Sequence, residues 1–249
     1  MAERRTGLGI DIGGSGIKGA PVDLGTGEFL TERVKIATPE LSTPEAVAEV
    51  VGEISGRFPE TAGTPVGITF PGVVQQGVVR TAANVDRSWI GTDAGSLFSG
   101  VLGRPVRVLN DADAAALAEA HYGAARTTSG VVLLTTLGTG IGTALVVHGR
   151  LVPNTEFGHL EIDGHDAESR ASSGAKNRDG LSYHAWAVER LQRYYRVVED
   201  LVWPDLIVVG GGVSRKADKF LPHLDLRTPT VPAELRNTAG IVGAVLAAQ

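Results

Sequence analysis

LGIDIGGSGIKGAPVD, residues 8–23, decides the fold. Leu8–Ile12 is a short apolar strand broken by Gly13, Gly14 and Gly16, and Ile17–Val22 reads as a second strand. Because the chain returns as a strand, the loop is neither a Walker loop nor a dinucleotide fingerprint, both of which open a helix. A turn at 25–27 leads to a third strand around Phe29–Ile36, so an antiparallel meander is expected. Asp11, Gly13, Gly14, Ser15, Gly16 and Lys18 then form a candidate phosphate loop. Glycines let backbone N–H groups approach phosphate oxygens, and a carboxylate at a strand end can hold a hydrated Mg2+. Taken alone, the same segment could be a plain tight hairpin.

Working outward, the spacing of Ala46, Val47, Val50, Val51 and Ile54 predicts a helix over 43–58 with Ser42 or Thr43 as its N-cap. Val66–Phe70 and Val106–Leu109 read as buried strands. Asn110 and Asp111 precede an alanine-rich helix, Ala112–Tyr122, that Gly123 is placed to end. A crossover is expected here, dividing the chain into lobes 1–110 and 111–237. The order then repeats: a strand over 130–135, a glycine-rich turn, a strand over 141–147 and a turn at His148–Gly149, which suggests an internal duplication. The polar stretch 163–179 is expected to be a loop. A helical pattern follows over 182–198, then a strand over 206–209 closed by Gly210, Gly211 and Gly212, and an apolar helix over 238–248.

The composition, 43% hydrophobic and 20% charged in 249 residues, is that of a folded globular chain. Cysteine is absent, which removes disulfides and thiolate zinc sites and makes the cytoplasm the expected setting. Residues 1–6 lack the features of a secretory signal, and no apolar run reaches membrane-spanning length. A net charge of −5 leaves no global positive field for nucleic acid or an anionic membrane, so any anion must be held locally.

Four further groups carry chemistry. Thr135, Thr136, Leu137, Gly138, Thr139, Gly140, Ile141 and Gly142 form a second glycine loop suited to the equatorial oxygens of a transferring phosphoryl group; the alternative is a structural hairpin. Asp111 is a candidate general base toward an attacking hydroxyl, with a helix cap as its alternative role. Glu156, His159 and Glu161 offer the planar donors and acceptors that grip sugar hydroxyls; a single histidine with carboxylates is a weak metal site. Gly210–Gly212 would admit a flat base or phosphate chain, and Arg215, Lys216 and Lys219 just beyond form a basic cluster on an acidic chain.

The motifs DIGGSGIK at 11–18, LNDADAAALAEA at 109–120, LGTGIGTAL at 137–145 and EFGHLE at 156–161 resemble the ROK family of bacterial sugar kinases. The resemblance implies an α/β, two-lobed, actin-like ATPase fold of the hexokinase and ribonuclease H type, with the active site in the interlobe cleft and the last helix, 238–249, returning to the N-terminal lobe. It implies Asp111 as catalytic base; Gly72, Asn84, Asn110, Glu156, His159 and Glu161 around glucose; Gly13, Gly14, Ser15, Gly16, Lys18, Thr136, Gly138, Thr139 and Gly140 on phosphates; Gly210, Gly211, Gly212, Arg215 and Lys216 on the donor; and Asp11 beside Mg2+. Many relatives carry a cysteine-rich zinc motif after the Glu-x-Gly-His element; residues 163–179 contain no cysteine, so zinc is not expected. That loss, with SWIGT at 88–92 and DLIVVGGGVSRKADKFLP at 205–222, resembles the actinobacterial branch that uses inorganic polyphosphate, in some members also ATP. A homodimer is the family-based expectation. The rivals are a kinase using ATP alone on glucose or another hexose, a sugar-sensing repressor, for which no helix-turn-helix precedes the first loop, and a filament-forming or chaperone ATPase.

Overall fold

The computed structural model describes residues 5–249. The chain divides into two compact units, residues 5–118 with Thr238–Gln249, and Glu119–Asn237.

The first unit starts with the meander β1 (Thr6–Gly13), β2 (Gly16–Asp23) and β3 (Val34–Ile36). The third strand is shorter than expected, with Phe29 joined to Val22 only by an isolated bridge. α1 (Pro44–Gly56) is capped by Thr43, whose hydroxyl accepts the Ala46 N–H at 3.4 Å, and Pro44 fits the first turn where no N–H is needed. β4 (Val66–Phe70), a two-residue-armed hairpin of β5 (Val74–Gln75) and β6 (Val78–Val79), α2 (Ala94–Leu102), β7 (Val106–Asn110) and α3 (Asp111–His121) follow. The sheet runs β3-β2-β1-β4-β7, antiparallel in the meander and parallel from β1 to β7. Leu8, Ile10, Val47, Val51 and Ile54 are fully buried in its core, and each such side chain stabilises by about 1.5–3 kcal/mol.

The second unit repeats the plan. β8 (Val131–Leu137), β9 (Ile141–Val147) and β10 (Arg150–Val152) form a meander, and the hairpin β11 (Glu161–Ile162) and β12 (His165–Asp166) follows. Next come α4 (Glu168–Ala171), α5 (Ser173–Arg178), α6 (Tyr183–Trp186), a π turn at Ala187–Leu191 and α7 (Gln192–Val202). β13 (Leu206–Gly210) and β14 (Thr230–Pro232) complete a sheet ordered β10-β9-β8-β13-β14. Its strand directions match those of the first sheet. Trp186, Tyr194, Tyr195 and Phe220 supply the large buried side chains.

Residues 163–179 correct the expectation of a loop. Ala167, Ala171 and Ala175 recur every four residues and are buried, while Ser172 caps α5 through the Ala175 N–H at 3.0 Å. An apolar stripe made only of alanine carries little hydrophobic signal. The last helix, α8 (Ala239–Ala247), lies on β1 and β4, so close that a Cβ at Gly67 would sit 1.8 Å from the Ala244 carbonyl oxygen. A Cβ at Gly243 would meet the Ala114 carbonyl at 1.7 Å. That contact ties most of α3 to the first unit, so the division falls at 118/119, inside the helix, and not at 110/111. Among the described residues no helix is long and apolar enough to cross a membrane.

Candidate active site

In the first unit the Gly13↔Gly16 pair closes a two-residue turn, Gly14–Ser15, and Asp11 faces Lys18 directly across the ladder. Lys18 Nζ donates to Asp11 Oδ2 at 3.1 Å and Thr69 Oγ1 to Oδ1 at 2.7 Å, and Gly240 at the start of α8 approaches the same carboxylate. The positive end of the α8 dipole therefore also faces this anion. None of Gly13, Gly14 and Gly16 has a positive φ; glycine is needed there for space. A Cβ at Gly14 would lie 2.8 Å from Asn84 Cβ, and one at Gly16 2.5 Å from Lys35 Cε. Two sequence-predicted elements, the first loop and Asn84, are thus packed together. Asn84 itself holds φ at 61°, a left-handed conformation that asparagine tolerates. Lys35, on β3 directly opposite Lys18, was not singled out from sequence. Only strand register could have exposed it: two like charges opposite each other are unfavourable without an anion between them.

At the junction of β7 and α3, Asn110 takes the cap. Its Oδ1 accepts the N–H groups of Ala112 at 2.8 Å and Asp113 at 3.1 Å, and its Nδ2 donates to the Gly72 carbonyl at 3.1 Å. Both lone pairs and one of two amide protons are used, leaving a single N–H for a ligand. Asp111 therefore does not serve as the helix cap. Its carboxylate is exposed at the first helical position, oriented by the Ala112 N–H at 2.9 Å. Gly72 is confined as well, since a Cβ there would strike the Thr81 carbonyl at 2.2 Å.

In the second unit the loop 138–140 is gripped on two sides. The Gly174 N–H at the start of α5 donates to the Gly138 carbonyl at 2.9 Å. On β13, Gly210 pairs with Thr136, and Gly211, at φ 80°, comes so near that a Cβ would lie 2.6 Å from Leu137 N. The predicted phosphate loop and the predicted donor turn are therefore neighbours. Among the described residues the N–H groups of Gly14, Ser15, Thr139 and Gly140 have no hydrogen-bond acceptor, so each glycine loop presents two donors suited to an anion. Thr135 points the other way, buried, with its hydroxyl 2.8 Å from Tyr195 OH. Arg215 and Lys216 are exposed beyond the turn.

Beside this loop lies a polar network. His159 Nδ1–H donates to Asp166 Oδ2 at 2.9 Å, and His159 Nε2 is 4.0 Å from Glu156 Oε2. The Asp166 hydrogen bond is the main cause raising the His159 pKa above its ordinary value, with Glu168, Asp166 and Glu156 adding attraction against partial burial. Burial sets the Glu156 carboxyl higher than usual, against the attraction of His159 and with the repulsion of Glu168 added. Glu168 Oε2 accepts the Ile141 N–H at 2.9 Å and fills the space where a Cβ at Gly140 would be. Glu168 thus joins the His159 cluster to the glycine loop. Neither Asp166 nor Glu168 was found from sequence, because the helix that carries Glu168 had no visible pattern. Glu161 is exposed and pairs with Asp166 across the small hairpin.

Two places bring together groups of the kind that ligate metals. Asp11 keeps one lone-pair position on each oxygen beyond its Lys18 and Thr69 contacts and is partly exposed. That fits Mg2+, which retains waters and takes one or two carboxylates together with substrate phosphates. His159, Asp166 and Glu168 also bring ligand atoms within 4.8 Å of one another. Asp166 Oδ2 already accepts the His159 Nδ1 proton and Glu168 Oε2 the Ile141 N–H, so these groups serve as a hydrogen-bonded network.

The pattern of the ROK family matches residues 7–178, more than half of the chain. The chain belongs to the ROK family. Within it, the chain is 54% identical over 245 residues to the polyphosphate glucokinase of Mycobacterium tuberculosis (strain CDC 1551 / Oshkosh), covering 98% of this chain and 91% of that one. The crystal structure of inorganic polyphosphate/ATP-glucomannokinase from Arthrobacter sp. strain KM superposes with a TM-score of 0.92 at 57% identity, covering 97% of each chain. A ROK family glucokinase from Streptomyces griseus, solved in complex with glucose and AMPPNP, matches at TM-score 0.78 and 25% identity over 98% of this chain and 99% of that one. These ROK neighbours share the two mixed sheets with flanking helices described above, the actin-like ATPase arrangement.

Proposed function

We propose that this ROK protein is a polyphosphate-dependent glucokinase, with ATP as a second donor. The observation that carries the reading is that Asn110 takes the cap of α3 and leaves the Asp111 carboxylate exposed, in a chain that also has two glycine turns offering unpartnered N–H groups. Similarity to the mycobacterial and Arthrobacter kinases supports the choice of glucose and polyphosphate.

In this reading the 6-hydroxyl oxygen of glucose forms a bond to the terminal phosphorus while the bond from that phosphorus to the donor oxygen breaks. Asp111 accepts the hydroxyl proton late, when the oxygen has become acidic. The products are glucose 6-phosphate and a donor shorter by one phosphate. Gly72, Asn84, Asn110, Glu156, His159 and Glu161 hold the sugar, with Asp166 and Glu168 fixing the imidazole and the loop. Gly13, Gly14, Ser15, Gly16, Lys18, Thr136, Gly138, Thr139 and Gly140 bind phosphates, and Gly210, Gly211, Gly212, Arg215 and Lys216 bind the donor. Mg2+, held through Asp11, would neutralise phosphate charge when bound. A cytoplasmic homodimer completes the proposal, checked by its mass in solution.

The test is the initial rate of glucose 6-phosphate formation with polyphosphate and with ATP, each at matched Mg2+ and over a panel of hexoses. Polyphosphate-driven formation on glucose is expected. Turnover with ATP alone, or hydrolysis independent of sugar, would replace this reading by one of its rivals.

A further inference from the structure

Among the cations of the second unit that the ion pairs of the fold leave over, four lie on α5 and on the segment Gly212–Lys219 that follows the third glycine turn. Arg126, Arg178, Arg193, Arg196 and Arg227 each meet a carboxylate within 4.0 Å. Among the described residues Lys176, Arg215, Lys216 and Lys219 meet none, and Asp218, which lies within their own segment, pairs with none of them. On a chain of net charge −5 this is a local inversion of sign.

Tyr183 gathers two of the four. Lys176 Nζ stands 4.3 Å and Lys219 Nζ 5.8 Å from the centre of its ring, so the two ammonium groups lie within the sum of those distances of each other. A ring face attracts a cation, more strongly as water is removed. Phe220 stacks on Tyr183 at 6.3 Å with 18° between planes, and Trp186 packs at 6.4 Å, so the ring is held by the core. Two like charges are thereby held at one ring, and neither meets a carboxylate within 4.0 Å among the described residues.

Both lysines sit on short elements whose other ends grip the glycine turns. Lys176 is in α5, whose Gly174 N–H donates to the Gly138 carbonyl. Lys219 ends the 3-10 segment Gly212–Lys219 that leaves Gly211, the residue packed on Leu137. Within that segment Lys216 departs from helical geometry, with φ −118° and ψ 23°. The cations therefore lead away from the turns at 138–140 and 210–212.

We propose that Lys176 and Lys219, positioned by Tyr183 and continued by Arg215 and Lys216, form a track for the distal phosphates of a long inorganic polyphosphate chain. A linear polyanion needs a succession of cations, one after another, whereas a nucleotide needs only enough for its triphosphate. The track rests on the donor assignment above, and gives it a location outside the loops that hold the reacting phosphate.

The experiment compares the wild type with the double variant Lys176→Gln/Lys219→Gln and with Lys176→Arg/Lys219→Arg, after thermal melting has shown that all three fold. Initial rates are taken with tripolyphosphate and with chains of tens of phosphates, and direct binding of long chains is titrated calorimetrically without glucose. In the Gln variant the KM and Kd for long chains rise by roughly tenfold or more, as expected for two lost charge-assisted contacts. Tripolyphosphate kinetics shift far less, and the dependence of long-chain binding on salt weakens. The Arg variant restores most of the affinity. An equal change with both donor lengths, or long-chain binding unaffected by the Gln variant, overturns the track. The donor assignment is read separately: a wild type that binds long chains through these lysines but never turns them over ends that assignment and keeps the track.

Discussion

The two glycine hairpins share one frame and put opposite chemistry into it. In each unit the first strand of the sheet runs antiparallel to the second and parallel to the fourth. Two pairs in from the turn, the first unit has Asp11 opposite Lys18, and the second has Thr135 opposite Thr143. The first pair is partly exposed, charged and joined at 3.1 Å. The second is buried and neutral, with Thr135 bonded to Tyr195. A duplicated topology therefore fixes where a turn lies, and the residue on the strand decides whether that turn's flank is a site or a core. The neighbour on the parallel strand follows suit: Thr69 donates to Asp11, whereas Val209 sits beside Thr135.

The severest test concerns Asp111, which belongs to neither hairpin. Asp111→Asn keeps the shape and the Ala112 contact but cannot take a proton, and kcat is expected to fall by about 10²–10⁴-fold with glucose KM little changed. Full turnover in the variant would leave the first unit with no base and reduce the comparison to one of phosphate grips.

The paired strand positions come next. Asp11→Asn should lower kcat/KM for the donor by roughly ten- to hundredfold, the usual loss when an outer metal-orienting carboxylate is removed, while the melting temperature stays close to wild type. Thr135→Val should do the reverse. It leaves the buried Tyr195 hydroxyl without its partner, which costs about 1–3 kcal/mol of stability and lowers Tm by roughly 2–4 °C per kcal/mol, with kcat preserved. Burial already pushes the Tyr195 phenol well above its ordinary range, so ionisation offers it no escape. If both variants lose stability alone, or both lose activity alone, the contrast between the hairpins disappears.

What the sequence revealed follows the same division. The β1–β2 and β8–β9 hairpins were legible because apolar strands end abruptly in glycine, and their repetition was legible because the pattern recurs. α4 and α5 were not, since Ala167, Ala171 and Ala175 give a helical stripe too small to stand out from a polar loop. Glu168 was lost with them, although it links the second glycine loop to the His159 cluster. Asp111 shows the opposite case: its sequence context fits a cap as well as a base, and only the hydrogen bonds of Asn110 separate the two roles. Lys35 needed a register that a one-dimensional pattern does not contain.

The mildest test addresses the polar network that only the second hairpin carries at its side. Asp166 supplies the largest of the influences raising the His159 pKa. The charged imidazole stabilises the fold fully below the unfolded-state value, near 6.5, and that contribution is lost as pH rises through the higher folded-state value. In Asp166→Asn the folded-state value should fall back toward the ordinary one, so the window of pH over which His159 is charged in the fold but neutral in the unfolded chain narrows. A proton NMR titration of the His159 ring in both proteins reads this directly. The variant should also loosen the ring, because an amide oxygen accepts the Nδ1 proton without charge, and glucose KM should rise modestly while the glycine loop, held separately by Glu168, keeps its donor KM. An unmoved His159 titration would mean that Glu156 and Glu168 govern the imidazole, and that the network is anchored at the loop end and not at the hairpin of β11 and β12.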